Sequence, residues 1–374
     1  MKFTVDRETL EGILARVQGV AERRLAQPIL THVLLSAGPK GITAVATDLD
    51  VVVRCSRPAE VAAAGAAALP ARKFYDIARV LPDGPVSVSA KESGYVEISA
   101  GRGRFRLAGL PAGDFPAMPE KPAGASVQVD AEAFRRQVER VVPFTSSDET
   151  RYALNGVLFE PLEVEGRQLL RMVATDGHRL VAADAELAGI AGLLGKSRPL
   201  VPRKGLAEIR RLAESGAGSV ELAASEKFLF AAGGDTELWV RLLEGEFPDY
   251  RQVLRAAGPL RATVGRDAFV GAVRRVAVMA PDKLHAVKLA FSAKELEVSA
   301  AVAELGEARD VIDVRYDGAP LEIGFNGRYL LDALAGIGSS EVLLELKDRE
   351  SQAVLRPGDG EGFVAVIMPM RLAG

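Results

Sequence analysis

The same short motifs return in this chain of 374 residues after about a third of its length, so whatever it folds into is built more than once. Ala46-Thr47-Asp48, at the end of an apolar run, recurs as Ala174-Thr175-Asp176, and Pro70-Ala71-Arg72-Lys73 recurs as Pro202-Arg203-Lys204. Phe115-Pro116 then recurs as Phe247-Pro248, in the same order. Each copy opens with an alternating strand that runs into an amphipathic helix, at Phe3 to Val20, Val127 to Val142 and Ala262 to Met279. The third copy keeps this order of elements and loses the dipeptides. Solenoid units repeat every 20 to 50 residues or so, whereas this period is the size of a whole domain, so the pattern is a triplicated domain.

A hydrophobic share of 48% beside 26% charged residues describes a globular chain with an ordinary core. Met1 to Leu10 carries Lys2, Asp6, Arg7 and Glu8 and does not read as a secretory signal, and the Ala-rich Val61 to Leu69 is too short to span a bilayer. A soluble, cytoplasmic protein with no membrane partner is the expectation. Cys55, the single cysteine, excludes an internal disulfide and a cysteine metal cluster and reads as a small core residue of a strand. His32, His178 and His285 stand far apart, so the sequence calls for no metal and no cofactor.

A net charge of -3 argues against nucleic acid, because phosphate binding rests on lysine and arginine. The distribution points the other way. Basic residues gather on the predicted helices: Arg72, Lys73 and Arg79; Arg135, Arg136 and Arg140; Arg203, Lys204, Arg210 and Arg211; Arg274 and Arg275. Either these are solvated helix faces, or they make one basic surface on an acidic protein.

Between the helices the chain alternates with period two at Gly41 to Cys55, Val86 to Ser89, Tyr95 to Leu107, Arg171 to Asp184, Ser219 to Leu222, Glu295 to Val302, Val342 to Leu346 and Gly362 to Met368. That is an α+β pattern of helices covering antiparallel sheets. Pro116 to Ala125 and Arg255 to Pro259 punctuate the copies, which places the domains at 1–122, 127–253 and 259–374. Arg102, Arg104 and Arg106 alternate with Gly103, Phe105 and Leu107 in what reads as an edge strand, and charges on one face of an edge read most simply as protection against pairing.

Thr175-Asp176-Gly177-His178-Arg179-Leu180 presents an acid and a histidine two residues apart, the raw material of a hydrolase. The glycine between them suggests a turn, and no nucleophile elbow lies nearby. Its counterpart Thr47-Asp48-Leu49-Asp50 has no histidine, so the second copy has diverged here, which favours a local binding feature. Gly101-x-Gly103 meets Arg106 where a dinucleotide loop needs glycine, and there is no Walker-type lysine loop, so ATP dependence would have to come from a partner. The final Met368-Pro369-Met370 leaves a strand with two adaptable side chains, either closing its own core or offering a binding groove.

Met1 to Val5, Pro28-Ile29-Leu30, Pro70 to Phe74, Leu110-Pro111 with Asp114-Phe115-Pro116, Arg151-Tyr152 with Leu154-Asn155-Gly156, Ala174 to Leu180, Phe247 to Tyr250 and Met368 to Leu372 together resemble the bacterial sliding clamp family. That family is the β subunit of the replicative DNA polymerase III. The resemblance runs from the first residue to the last few. It implies three repeated DNA-clamp domains per chain, with helices lining the inside and antiparallel sheets the outside of a head-to-tail dimeric ring. It implies a non-enzymatic processivity factor that encircles double-stranded DNA without reading sequence and sits with the nucleoid. Its partners would be the DNA polymerase III alpha subunit, the clamp loader delta subunit and other clamp-motif proteins. A duplicated relative specialised for repair or inhibitor resistance is the alternative.

The resemblance also implies roles for residues. DNA-facing positions would be Arg24, Arg72, Lys73, Tyr152, Arg203 and Lys204. Ala153 departs from relatives that carry a second aromatic there, which bears on contacts to single-stranded template. A pocket for linear peptides with Gln, Leu and Phe side chains would be lined by Leu154, Thr175, Gly177, His178, Arg179, Leu180, Pro248, Val253, Val366, Met368, Pro369, Met370 and Arg371. The subunit interface would set Phe105 and Leu107 against Val278 and Met279, and Lys73 and Arg104 against Glu304 and Glu307, so that the arginine strand pairs with a second copy after all.

Overall fold

The computed structural model describes residues 1–21, 27–91, 94–148, 150–215, 218–255, 257–280, 285–302, 305–360 and 362–371. Eight α-helices lie among them: α1 Arg7–Val17, α2 Ala71–Val80, α3 Ala131–Val141, α4 Ile190–Leu194, α5 Arg203–Ala213, α6 Arg251–Arg255, α7 Arg266–Ala277 and α8 Gly327–Gly336. None is long and apolar enough to cross a membrane.

Helix formation follows the spacing of apolar residues. In α1 the buried side chains are Leu10, Ile13, Leu14 and Val17, and in α7 they are Phe269, Ala272, Val273 and Val276, each a stripe at intervals of three and four. Burying each large side chain of such a stripe contributes about 1.5–3 kcal/mol, which outweighs weak intrinsic propensity. α8 starts where the Asn326 side chain accepts hydrogen bonds from the amides of Arg328 and Tyr329. α2 and α5 both follow a strand that ends in proline, Gly65–Pro70 and Leu200–Pro202, so the repeated Pro-Arg-Lys motif marks a repeated strand-to-helix junction.

The chain forms two compact units, residues 1–132 with 204–242 and residues 133–203 with 243–374. In the first, a five-stranded sheet runs Glu60–Ala63, Lys2–Asp6, Pro85–Ala90, Tyr95–Ala100, Gly103–Ala108. An eight-stranded sheet runs Ser126–Asp130, Ser219–Ala224, Phe228–Gly233, Thr236–Arg241, Val51–Arg57, Gly41–Thr47, His32–Gly38, Gly65–Pro70. In the second unit a twelve-stranded sheet contains every strand among the described residues, and Arg179–Ala185 pairs within it with Phe363–Ile367. The strand pairings are antiparallel, as the α+β reading anticipated, and among the described residues no sheet closes into a barrel.

Three runs read above as single strands are hairpins. Gly41 to Cys55 breaks at Asp48, Tyr95 to Leu107 at Gly101, and Arg171 to Asp184 at Asp176. Alternation continues on both sides of a tight turn, so period alone does not reveal the reversal; the Asp and Gly residues do. Cys55 is fully buried in its strand, as anticipated.

Candidate functional site

The turn between strands Arg167–Thr175 and Arg179–Ala185 is built by side chains that hydrogen-bond their own backbone. Asp176 Oδ1 accepts from the amides of His178 at 2.9 Å and Arg179 at 3.0 Å, while Thr175 Oγ1 accepts from the Gly177 amide at 3.1 Å and donates to the Arg179 carbonyl at 2.7 Å. Gly177 sits at φ 89, where a side chain would be strained. Asp176 is therefore spent on the turn and on Arg179, and no hydrogen bond joins it to the exposed His178 ring. The acid-histidine arrangement that a hydrolase would need is not formed.

Beside this turn lies an apolar floor. Leu180 is register partner to Val366 across the strand pair, and both are buried with Leu158, Val173, Leu200 and Tyr250. Ala153, Phe247, Val253 and Leu254 pack on this cluster half-buried, which leaves part of its apolar surface open. The segment carrying Pro248 and Val253 is tied down through Glu160, a buried carboxylate that accepts from the Tyr250 hydroxyl and from Arg251, with Arg198 at 3.2 Å. Burial first, and the neighbouring Glu160 carboxylate second, raise the Tyr250 pKa above its ordinary value, so this hydroxyl stays protonated and donates. The tail closes one side: Met368, 45% exposed, donates its amide to the His178 carbonyl at 2.9 Å, and the Met370 amide donates to Gly324 at 2.8 Å.

The structure brings together most of the residues proposed for the peptide pocket. Leu180, Val253 and Val366 share one cluster; Thr175, Gly177 and His178 form the turn; Met368 is bonded to that turn. Leu154 is half-buried next to Ala153, and Pro248 is exposed between Phe247 and Tyr250. Pro369, Met370 and Arg371 line a separate hollow with Gly324 and Glu350. Arg179 stands apart from the floor. It neighbours Leu180 in a strand, so the two side chains leave on opposite faces, and that of Arg179 is buried away from the floor.

On that opposite face a polar cleft of about 850 Å³ is lined by Arg151, Asp176, His178, Arg179, Arg203, Asn326, Arg328, Tyr329 and Asp332 among others. The sequence reading missed Asn326, Tyr329 and Asp332. Asn326 ahead of Gly327-Arg328-Tyr329 is a legible helix start, but nothing local tells which turn that helix will face.

Of the DNA-facing candidates, Arg24 lies outside the described residues. Arg72 and Lys73 are exposed on the first turn of α2, and Arg203 and Lys204 on the first turn of α5, where Lys204 pairs with Asp48. Tyr152 is exposed. Not every basic helix residue is solvated: Arg140 donates to the Gly336 carbonyl at 2.8 Å and stacks 4.8 Å from Phe363, and burial lowers its pKa from the ordinary arginine value. Arg275 pairs with Asp310 at 2.6 Å and Arg211 with Glu208 at 2.7 Å, although both arginine side chains remain more than half exposed.

Among the interface candidates, Gly103–Ala108 is an edge strand, with Arg104 and Arg106 exposed and Phe105 and Leu107 half-buried. Glu304 lies outside the described residues, and Glu307 is exposed. Strand Gly306–Tyr316 pairs with Glu295–Val302 along its outer part but with Leu260–Gly265 only from Val314 onward, so its outer part has one open edge. Near that edge Val278 is 81% exposed and Leu305 75% exposed, the latter unanticipated, with Met279 half-buried beside Gly306.

Comparisons with known proteins add to this geometry. Three family profiles match the chain: the N-terminal domain of the DNA polymerase III beta subunit over residues 1–119, its central domain over 128–249 and its C-terminal domain over 251–371. The beta sliding clamp of Caulobacter vibrioides is 38% identical over 375 residues, all of both chains. A crystal structure of the C. crescentus beta sliding clamp superposes with a TM-score of 0.94 at 37% identity over the whole of both chains. That of the sliding clamp (DNA polymerase III subunit beta) from Bartonella birtlesii, bound to griselimycin, gives 0.92 at 35% identity, again over all of both chains.

Proposed function

The chain belongs to the DNA polymerase III beta-subunit family, the non-enzymatic β sliding clamps that serve as processivity factors, and from this we propose how its own residues do that work. Two copies join head to tail into a ring, each contributing clamp domains at 1–122, 127–253 and 259–374. The arginine edge of one copy, Gly103–Ala108, adds to the open outer part of Gly306–Tyr316 of the other. Phe105 and Leu107 then cover Val278, Met279 and Leu305, whose exposure on a lone subunit supports this reading. Lys73 and Arg104 face Glu304 and Glu307.

Double-stranded DNA passes through the ring beside Arg24, Arg72, Lys73, Tyr152, Arg203 and Lys204. Such contacts to phosphate position a duplex without reading its sequence and are weakened by salt, so a closed ring stays on DNA by topology and still slides. The work is cytoplasmic, on the nucleoid.

The observation that carries the partner site is the half-open apolar floor of Leu180 and Val366 beside the His178 turn. An extended clamp-motif segment of the polymerase alpha subunit, of the loader delta subunit or of another partner sets its Leu-Phe end on this floor, the form of a hot-spot pocket. The test is a fluorescence titration of a labelled Gln-x-x-Leu-Phe peptide against the full chain and against a chain lacking Met370 to Gly374. Saturable binding that truncation removes is expected; a folded full chain that binds no peptide overturns the assignment.

A further inference from the structure

We propose that Arg179 is a positioning residue that locks the His178 turn to α8 and so sets the distance between the apolar floor and the polar cleft. This inference rests on the pocket reading above. The Arg179 guanidinium uses each of its nitrogens on a different partner: Nε donates to Asp176 Oδ2 at 2.9 Å, Nη1 to Asp332 Oδ2 at 2.6 Å, and Nη2 to the Pro143 carbonyl at 2.6 Å. Its plane is also covered by rings, with Phe144 at 4.8 Å and Tyr329 at 4.1 Å. Tyr329 and Asp332 are three residues apart and share one face of α8.

A single planar cation therefore joins the turn, the 3-10 segment Val142–Phe144 and α8. The other oxygen of Asp176 holds the His178 amide, so the position of the histidine is passed through Asp176 and Arg179 to α8. The helix in turn begins at Asn326, which lines the cleft together with His178. A partner segment that reaches from the floor past His178 to Asn326 needs these two walls at a fixed spacing, whereas a segment that touches the floor alone does not. Lysine cannot substitute, because one ammonium nitrogen cannot occupy the three separate donor positions at once and has no plane to fill the slot between two rings.

The experiment uses the full chain and two labelled peptides, the pentapeptide Gln-x-x-Leu-Phe and an acetylated Leu-Phe pair, titrated against the unmodified protein, Arg179→Lys and Asp332→Asn. The Asp332 side chain is 38% exposed, so Asp332→Asn supplies a folded variant should Arg179→Lys fail to fold. The expected result is that the affinity ratio of long to short peptide falls about tenfold in either variant, a coupling of the size found within one hydrogen-bonded network. A ratio equal to that of the unmodified protein, whether both peptides weaken together or neither does, overturns the positioning role. Failure of the unmodified protein to bind either peptide is a different outcome and overturns the pocket on which the inference rests.

Discussion

Thr47 to Val51 in the first unit and Thr175 to Arg179 in the second are one turn built twice. Asp48 Oδ1 accepts from the amides two and three residues on, at 3.1 and 2.7 Å, and Thr47 Oγ1 accepts from Leu49 at 2.9 Å, the same pattern made by Asp176 and Thr175. Leu49 even takes the positive φ, 78, that Gly177 takes at 89. What differs is the residue across the strand from the floor. Val52, the counterpart of Leu180, faces Trp239; Leu180 faces Val366. The indole packs edge-on against Phe230 at 5.1 Å, donates to the Glu120 carbonyl and leaves Met118 and Phe115 against the same cluster. The first copy sets a large aromatic side chain on its floor, where the second has the much smaller Val366.

Trp239→Ala tests that contrast with the largest expected effect, a loss of about 3–5 kcal/mol in chemical denaturation followed by circular dichroism, as for other buried aromatic truncations. A loss below about 1 kcal/mol would mean that the indole fills nothing. Next comes the carboxylate of each turn. Asp176→Ala leaves the buried Arg179 short of a partner and should cost about 3 kcal/mol, whereas Asp48→Ala gives up turn hydrogen bonds and leaves only the half-exposed Lys204 without its carboxylate, about 1 kcal/mol. Equal losses would put the two turns on the same footing. Moving the plug is the sharpest variant: Val366→Trp should weaken the Gln-x-x-Leu-Phe peptide about 100-fold, equivalent to about 2.7 kcal/mol, and unchanged affinity would place the peptide elsewhere. The smallest effects have opposite signs. Leu49→Gly should be neutral or stabilising by up to about 1 kcal/mol, and Gly177→Ala destabilising by about as much, because only the latter puts a Cβ into the left-handed region. Melts of both variants would reverse the argument if the signs came out the other way.

Much of this was legible in residue order. The repeated Ala-Thr-Asp and Pro-Arg-Lys motifs marked the repeated turn and strand-to-helix junction, and the Arg104-Phe105-Arg106-Leu107 alternation marked an edge strand, because these features depend on local bonding and period. The divergence at the second turn was read from His178, yet the backbone there is the same as in the first copy. The decisive difference, Trp239 against Val366, sits far along the chain from either turn and acquires meaning only through strand pairing. The place of Arg179 follows a related rule: it is next to Leu180 in sequence, and a strand sends adjacent side chains apart. Nor does anything near Tyr329 or Asp332 announce a cation more than a hundred residues away.

The strand Gly306–Tyr316 is rooted at one end, where it pairs with Leu260–Gly265 from Val314 onward; before that it pairs with Glu295–Val302 along one side and is bare along the other. A seam laid along such a strand parts like a zipper: force applied at the free tip strains one hydrogen bond at a time, while force along the strand must shear all of them together. If the proposed ring is sealed there, opening it needs only a peel, and the peel has a built-in stop where the root begins.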